Sequence, residues 1–595
     1  MPIYKAPLRD MMFVLNEVIG TDRVQSIPQF SEVNNDLIEA VLNEAARFTE
    51  TVLQPINQSG DKEGCKWQDQ TVTTPKGFKE AYQSFVKGGW PTLTGNPEYG
   101  GQGLPNLVSM MTEEMICSAN LSFSLYPGLT RGASVMLDRH GSKELKGKYL
   151  PKLIQGTWSG TMCLTEPHCG TDLGLLRTKA EPQPDGTYKL SGTKIFISSG
   201  EQDLTENIIH FAIARTPEAV SGIKGISLFL VPKFMVKEDG SLGERNPVFC
   251  ASIEHKMGIK GSSTCVMNFD GATGYLVGEL YQGINNMFTM MNTERIGVGM
   301  QGLGIGEVSY QNALGYARDR LQGRSLTGPK HSDKPADPLI VHPDIRRMLL
   351  TMKCSNEGCR LLAAWVAEAL DIMEHSDEPV QKQEAEDFVQ LMTPIIKALL
   401  TDMGTESANL GMQIFGGHGY IQEWGMEQFV RDARIAQIYE GTNGIQALDL
   451  IGRKMPAHTG RYLRRFFHPL EAYLKERETN SELAEFVQPL AKAFGRLQQA
   501  TVHIATKALG NADEAGAAAT DYLRLFGLVA LAYLWCRAVD VALSKRGQGE
   551  DDFYEAKIHT ARFFMAKVLP QTSALFAQIM AGSKPLMAID DKHFG

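Results

Sequence analysis

Apolar positions divide the chain into blocks of different period. Residues 1 to about 35 read as an arm rich in apolar residues and turns. From Val33 to about Leu150 the spacing is helical. Val41, Leu42, Ala45 and Phe48 form one apolar face, and Phe78, Tyr82 and Phe85 another. The loop at 96–103, NPEYGGQG, interrupts them with Pro and paired glycines. Met110 to Cys117, Ala133 to Leu137 and the segment 141–156 return to helix, the last stopping at Gly156. Near Trp158 the texture changes. Short apolar runs at 194–198, 210–214, 226–231 and 264–269, separated by QPDG, SSGEQD and KEDGSLG, predict strands and turns. Helical spacing resumes at about Gly283, breaks at the Pro-rich stretch 327–343, and continues at 348–372 and 388–412. Beyond Met455, further helical segments predict a separate bundle. The expected fold class is α+β and multidomain: an N-terminal arm and α-domain (1–157), a β-domain (158–280), an α-bundle (281–455) and an extra helical domain (456–595).

Composition narrows the picture. At 595 residues, with 43% hydrophobic and 21% charged residues, the chain suits a large globular core. A formal net charge of −9 disfavours a general affinity for nucleic acid. The nine cysteines show no regular framework, so reduced thiols in a cytoplasm-like compartment are expected. Cys354 and Cys359 form a single pair, and no metal motif is found; no metal is expected. The N-terminus lacks signal-peptide architecture. The longest apolar run, Leu525 to Cys536, reads as a buried helix too short to span a bilayer.

Candidate chemistry concentrates at 431–453, RDARIAQIYEGTNGIQALDLIGR. Glu440 stands between Tyr439 and Gly441. Thr442 is placed to cap a helix whose apolar face would be Ile445, Leu448 and Ile451. A carboxylate among apolar neighbours suits a general base. The glycine allows close approach of a ligand, and a helix N-terminus suits an anion. The plain alternative is a favourable charge–dipole contact. At 162–172, MCLTEPHCGTD, Thr165 and nearby amides could bind a polar heterocycle, or the segment could be an ordinary turn. Gly297, Gly299 and Gly302 spell GxGxxG, but within a helical pattern that no strand precedes; close helix packing accounts for them. QIFGGHGY at 413–420 offers backbone amides to a pyrophosphate, or simply stops a helix.

IYEGTNGIQ preceded by RDARI resembles the signature of the acyl-CoA dehydrogenases, flavoenzymes that desaturate acyl-CoA thioesters. PEYGGQG, the TEP element, KIFISSG and EHKMGIKGSST resemble further segments of the same family. The long C-terminal portion resembles its longer bacterial members, including those acting on fatty acyl-CoA and methylthiopropanoyl-CoA. The resemblance implies FAD as cofactor, lying between the β-domain and the second helical domain. It implies Met162, Leu164, Thr165 and Thr171 along the isoalloxazine and thioester, and Phe196 and Ser198 on the next flavin-contacting segment. Thr442 also joins the cofactor set. Arg320 would reach the pyrophosphate, where a guanidinium makes bidentate bonds. Gln413, Gly416 and Gly417 would contact the FAD of a neighbouring subunit, which implies a homodimer. Arg295, Thr171, Tyr439 and Gly441 would touch the acyl-CoA.

Glu440 is the implied base that removes the α-proton. Some family members carry the base on an earlier helix, at the position of Glu294; this chain has both, and its intact YEGT motif favours Glu440. The implied reaction gives a trans-2-enoyl-CoA, with an electron-transfer flavoprotein as acceptor. An acyl-CoA oxidase using O2 and a DNA-associated flavoprotein of the same fold are the rival readings.

Overall fold

A computed structural model describes residues 2–595. Residue contacts divide it into two compact units. One is mixed (47–105 and 115–297) and one is helical (1–46, 106–114 and 298–595).

The mixed unit is built on a seven-stranded sheet. Its order is 158–163, 207–214, 227–232, 264–276, 188–198 and 179–182, with 248–253 also pairing with 264–276. Strands Trp158–Cys163 and Asn207–Ala214 are parallel; the other pairs are antiparallel. Strand 207–214 is buried along its whole length, which explains its nearly unbroken apolar sequence. Its pleat still sorts side chains by size. Ile209, Phe211 and Ile213 join the core formed with helices Leu121–His140 and Lys143–Ile154. Ala212 and Ala214 join the second core, with Cys250, Cys265 and Met267. Gly160 lets helix 121–140 lie directly on the sheet, because a Cβ there would strike Ala133. The long strand Thr264–Leu276 carries two register shifts, at 265/267 and 270/272. A hairpin, Lys66–Gln68 with Thr71–Thr73, interrupts the segment read as mostly helical.

In the helical unit, the 298–319 part of helix Gly283–Asp319 packs on Pro379–Phe415 through glycines. A Cβ at Gly302 would land on the Leu400 carbonyl, and one at Gly404 on the Gly302 backbone. Close packing therefore accounts for Gly299 and Gly302 of the GxGxxG pattern. Helix Pro343–His375 starts five residues before the predicted segment at 348, and Pro379–Phe415 starts ahead of the one predicted at 388, inside the charged stretch HSDEPVQKQEAED at 375–387 that the sequence suggests is a loop. In both, Pro occupies the first turn, where its missing N–H costs nothing. The N-terminal arm is also more regular than expected: Leu8–Met12 runs into a π-turn at Phe13–Ile19.

The C-terminal helices dock on this framework. Helix Ala512–Ser544 is long and apolar enough to cross a membrane, contrary to the reading from its apolar run alone, yet 83% of its most apolar window is buried by the protein. Gly358 accepts the Trp535 ring edge, the Trp535 Nε1 donates to the Cys354 carbonyl (3.3 Å), and Gly527 fits against Leu399. A buried ion network ties distant segments together. The Arg360 guanidinium binds Glu114, Glu307 and Asp10, while the Lys557 ammonium binds Asp10 and Glu357.

Candidate active site

Glu440 lies in a short loop after helix Met426–Arg434 and before helix Asn443–Asp449, in the helical unit. Its backbone is left-handed, with φ 56°, and Gly441 follows at φ 82°. For a glutamate this conformation costs on the order of 1–2 kcal/mol and persists only where the surroundings over-determine it. They do so here. The Gln446 Nε2 donates to the Glu440 carbonyl (3.1 Å) and the Gly441 carbonyl (3.2 Å). The Lys397 Nζ donates to the Gly441 carbonyl and the Asn443 Oδ1, both at 2.9 Å. The Asn443 Nδ2 donates to the Asp402 Oδ1 (2.7 Å) and the Thr401 Oγ1 (3.0 Å). The Tyr439 hydroxyl binds the Gln301 side chain. Thr442 caps the helix, accepting from the Ile445 N–H at 3.3 Å. Glu440 itself is half-buried.

The following helix departs from expectation. It has only seven α-helical residues before a π-turn at Leu450–Lys454, too short to serve as an anion site by itself. Ile445, Leu448 and Ile451 do not share a buried face: Ile451 is 4% exposed, but Leu448 is 47% exposed. The buried face is instead Gln446, Ala447, Leu450 and Ile451.

Elsewhere in this unit, Arg320 is exposed just past the end of helix 283–319. Gln413 is exposed in the last turn of helix 379–415. Gly416 takes φ 59°, and a Cβ at Gly416 or Gly417 would meet nothing within 4 Å, so their backbone is open to a ligand. Beside them Tyr316 stacks on Phe415 (4.1 Å) and His418 on Trp424 (4.4 Å), which stiffens the glycine turn.

The mixed unit holds the other predicted residues. Met162 is the penultimate residue of strand 158–163, and the loop after the strand is drawn to strand 188–198 by the Ile195 N–H on the Thr165 carbonyl (2.9 Å). Glu166 anchors that loop. It accepts from the Lys194 Nζ (2.9 Å), the Thr178 Oγ1 (2.6 Å), the Thr178 N–H (3.0 Å) and the Arg177 N–H (2.7 Å). Burial pushes the Glu166 carboxyl up, but the Lys194 ammonium and these donors outweigh it and hold it near 2. Glu166, His168 and Cys169 place ligand atoms within 4.8 Å of one another. With Glu166 already accepting four hydrogen bonds, the group is better described as a loop anchor than as a metal site. Leu164 is buried, Thr165 is half-buried and Thr171 is exposed. Phe196 is the outlier: φ 59° and 59% exposed, a strained aromatic presenting its ring to solvent. Ser198 lies two residues on and is half-buried. An open aromatic face, a thioether, three hydroxyls and loop amides form a set of groups that fits a flat ring with a polar edge.

On helix 283–319, Glu294 packs on helix 121–140, where a Cβ at Gly132 would collide with its carboxylate. Arg295 is 7% exposed; its guanidinium lies 5.9 Å from the Phe288 ring and donates to the Asn292 Oδ1 at 3.4 Å.

Sequence reasoning missed Lys397, Gln446 and the Lys194–Glu166 pair. Lys397 carried a visible signal, a lone cation inside the apolar run Ile395 to Leu400.

Comparison with known proteins matches these segments in order. Family profiles described as the acyl-CoA dehydrogenase N-terminal, middle and C-terminal domains match residues 35–157, 161–272 and 281–455. One described as acetyl-CoA dehydrogenase C-terminal like matches residues 466–590. The 3-methylmercaptopropionyl-CoA dehydrogenase of Ruegeria pomeroyi is 44% identical, over 97% of this chain and 98% of its own. A broad-specificity linear acyl-CoA dehydrogenase of Mycobacterium tuberculosis is 33% identical, over 99% of this chain and 100% of its own. The solved acyl-CoA dehydrogenase of Bacillus anthracis, complexed with FAD, is similar in fold, with TM-score 0.72 and 20% identity over 98% of this chain and 93% of that one. The chain thus belongs to the acyl-CoA dehydrogenase family of FAD-dependent oxidoreductases.

Proposed function

We propose that the protein desaturates an acyl-CoA thioester between Cα and Cβ, with Glu440 as the base. The observation that carries this reading is the left-handed backbone of Glu440, a strained loop held by Lys397, Gln446, Asn443 and Tyr439. Glu440 takes the α-proton onto its carboxylate. The electron pair left at Cα forms the new double bond as hydrogen leaves Cβ with its own pair. Bound FAD supplies the hydride acceptor. Met162, Leu164, Thr165, Thr171, Phe196 and Ser198 would hold its ring and Arg320 its pyrophosphate, with Thr442 also in the cofactor set, while Gln413, Gly416 and Gly417 would contact the FAD of a neighbouring subunit. Backbone N–H donors of the Glu440 loop would stabilise negative charge on the thioester oxygen; one such donor contributes about 3 kcal/mol to a transition state. Tyr439, Gly441, Arg295 and Thr171 would contact the acyl-CoA.

The four-segment division at 157, 280 and 455, a homodimer, a cytoplasmic setting and an electron-transfer flavoprotein as acceptor complete the proposal. Reduced thiols support the setting: all nine cysteines are free. The relative at 44% identity points to a short methylthio substrate among the candidates. The test is anaerobic loss of flavin absorbance with acyl-CoAs from short to long and with 3-methylmercaptopropionyl-CoA, the products read by mass spectrometry. Bleaching with loss of two hydrogens supports the reading. A flavin that no thioester bleaches overturns it.

A further inference from the structure

Lys397 lies midway along helix 379–415 and is fully buried. Its neighbours Ile395, Ile396, Ala398, Leu399 and Leu400 are buried and apolar, so packing alone would be met by another apolar residue. Burying an ammonium is costly unless its hydrogen bonds are made. Two of them are spent on the Glu440 loop, at the Gly441 carbonyl and the Asn443 side chain. The same Asn443 reaches back to Thr401 and Asp402, one turn further along the helix. The loop is therefore clamped to one helix face by a cation and an amide. Gln446 pulls the Glu440 and Gly441 carbonyls in as well. A trans peptide carries its N–H opposite its C=O. Drawing these two carbonyls into the protein turns the N–H groups of Gly441 and Thr442 the other way.

We propose that Lys397 is a positioning residue for the reaction: from inside the helical core it fixes the left-handed turn that aims the Glu440 carboxylate. The inference rests on the reading of Glu440 as the base. Without the ammonium, nothing on helix 379–415 binds the Gly441 carbonyl, and the strained φ at Glu440 relaxes toward the ordinary right-handed region. The carboxylate then loses its approach to Cα, and proton abstraction slows although binding groups elsewhere are untouched.

Lys397→Met keeps the volume and removes the donors. The expected result is a limiting rate of anaerobic flavin bleaching lower by about tenfold or more, as small displacements of a reacting group produce. FAD content stays that of the native protein. Affinity for a non-reacting thioether analogue of acyl-CoA stays within about threefold, and the isotope effect with α-deuterated substrate rises, because C–H cleavage has become the slow step. A folded, FAD-loaded Lys397→Met protein that bleaches at the native rate with an unchanged isotope effect overturns the proposal. If that variant does not fold, Asn443→Ala decides, since it breaks the same clamp at a half-buried position. A threefold or larger fall with the same split supports the clamp, and native behaviour refutes it. Glu440→Gln in parallel separates the two claims. If Glu440→Gln bleaches at the native rate, the base assignment fails. If it is inert while Lys397→Met is native, only the positioning role fails.

Discussion

Lys557→Met tests how the C-terminal helices are held. Lys557 is 3% exposed and binds two carboxylates, Asp10 from the N-terminal arm and Glu357 from helix 343–375, the latter at 2.8 Å. Burial pushes the Asp10 carboxyl up, but the Lys557 ammonium and then the Arg360 guanidinium outweigh it and hold it near 2. Removing the ammonium leaves Asp10 with Arg360 and Glu357 with Lys353, each buried and short of one partner. Breaking a buried pair this way costs about 3–5 kcal/mol. The cations that remain place the expected loss near the lower end, about 3 kcal/mol, or roughly a hundredfold in an opening equilibrium. The assay is amide hydrogen exchange of helix Asp551–Phe563, which carries Lys557. Its slowest amides should exchange about a hundredfold faster in Lys557→Met. Adding Asp10→Asn should recover part of the loss, because the stranded charge goes with its partner. Exchange within threefold of native, or two substitutions whose costs simply add, would refute the view that this network holds the extension.

Other outcomes follow from the same contacts. Gly132→Ala would push the Glu294 carboxylate aside; bleaching should stay within about threefold of native, and a loss beyond tenfold would make Glu294 the base. Gly302→Ala would drive a methyl into the Leu400 backbone; it should lower the thermal midpoint, and an unchanged midpoint would contradict the close approach of those helices. The Glu166 carboxyl is held near 2 in the fold, below the usual carboxylate range. Its contribution is complete above the unfolded pKa of about 4.3 and is lost as pH falls through about 2. In Glu166→Gln that portion of the acid dependence should vanish from an unfolding titration. A native acid limb would show that Lys194 does not hold the carboxyl down.

Much of the architecture was legible because local chemistry and global packing agree. The runs at 210–214 and 226–231 fall on strands Asn207–Ala214 and Ser227–Pro232, with turns where Gly, Asp and Ser cluster. The glycines of GxGxxG read as packing contacts, and helix 379–415 lies on two of them, Gly299 and Gly302. The Glu440 motif and its Thr442 cap were also legible, being contiguous in sequence. What escaped depends on distance along the chain. The charged stretch 375–387 resembled a loop, yet 379–387 is helix, its end held where Asp387 pairs with Arg461 and Arg465 from the C-terminal helices. Leu448 was expected inside, but the helix turns Gln446 and Ala447 inward, and the polar Gln446 hid that face from an apolar-spacing argument. The positive φ at Phe196 and Glu440 leaves no mark in residue type, since neither is the glycine or asparagine such a backbone favours. Lys397 meets its acceptors 44 and 46 residues away, a pairing that only the folded chain reveals.

The most direct measurement is the rate of anaerobic flavin bleaching by acyl-CoA in Glu440→Gln set beside Glu294→Gln, both proteins loaded with FAD. Glu440→Gln is expected to bind acyl-CoA but leave the flavin yellow, while Glu294→Gln bleaches at close to the native rate. Native bleaching in Glu440→Gln together with an inert Glu294→Gln would contradict it.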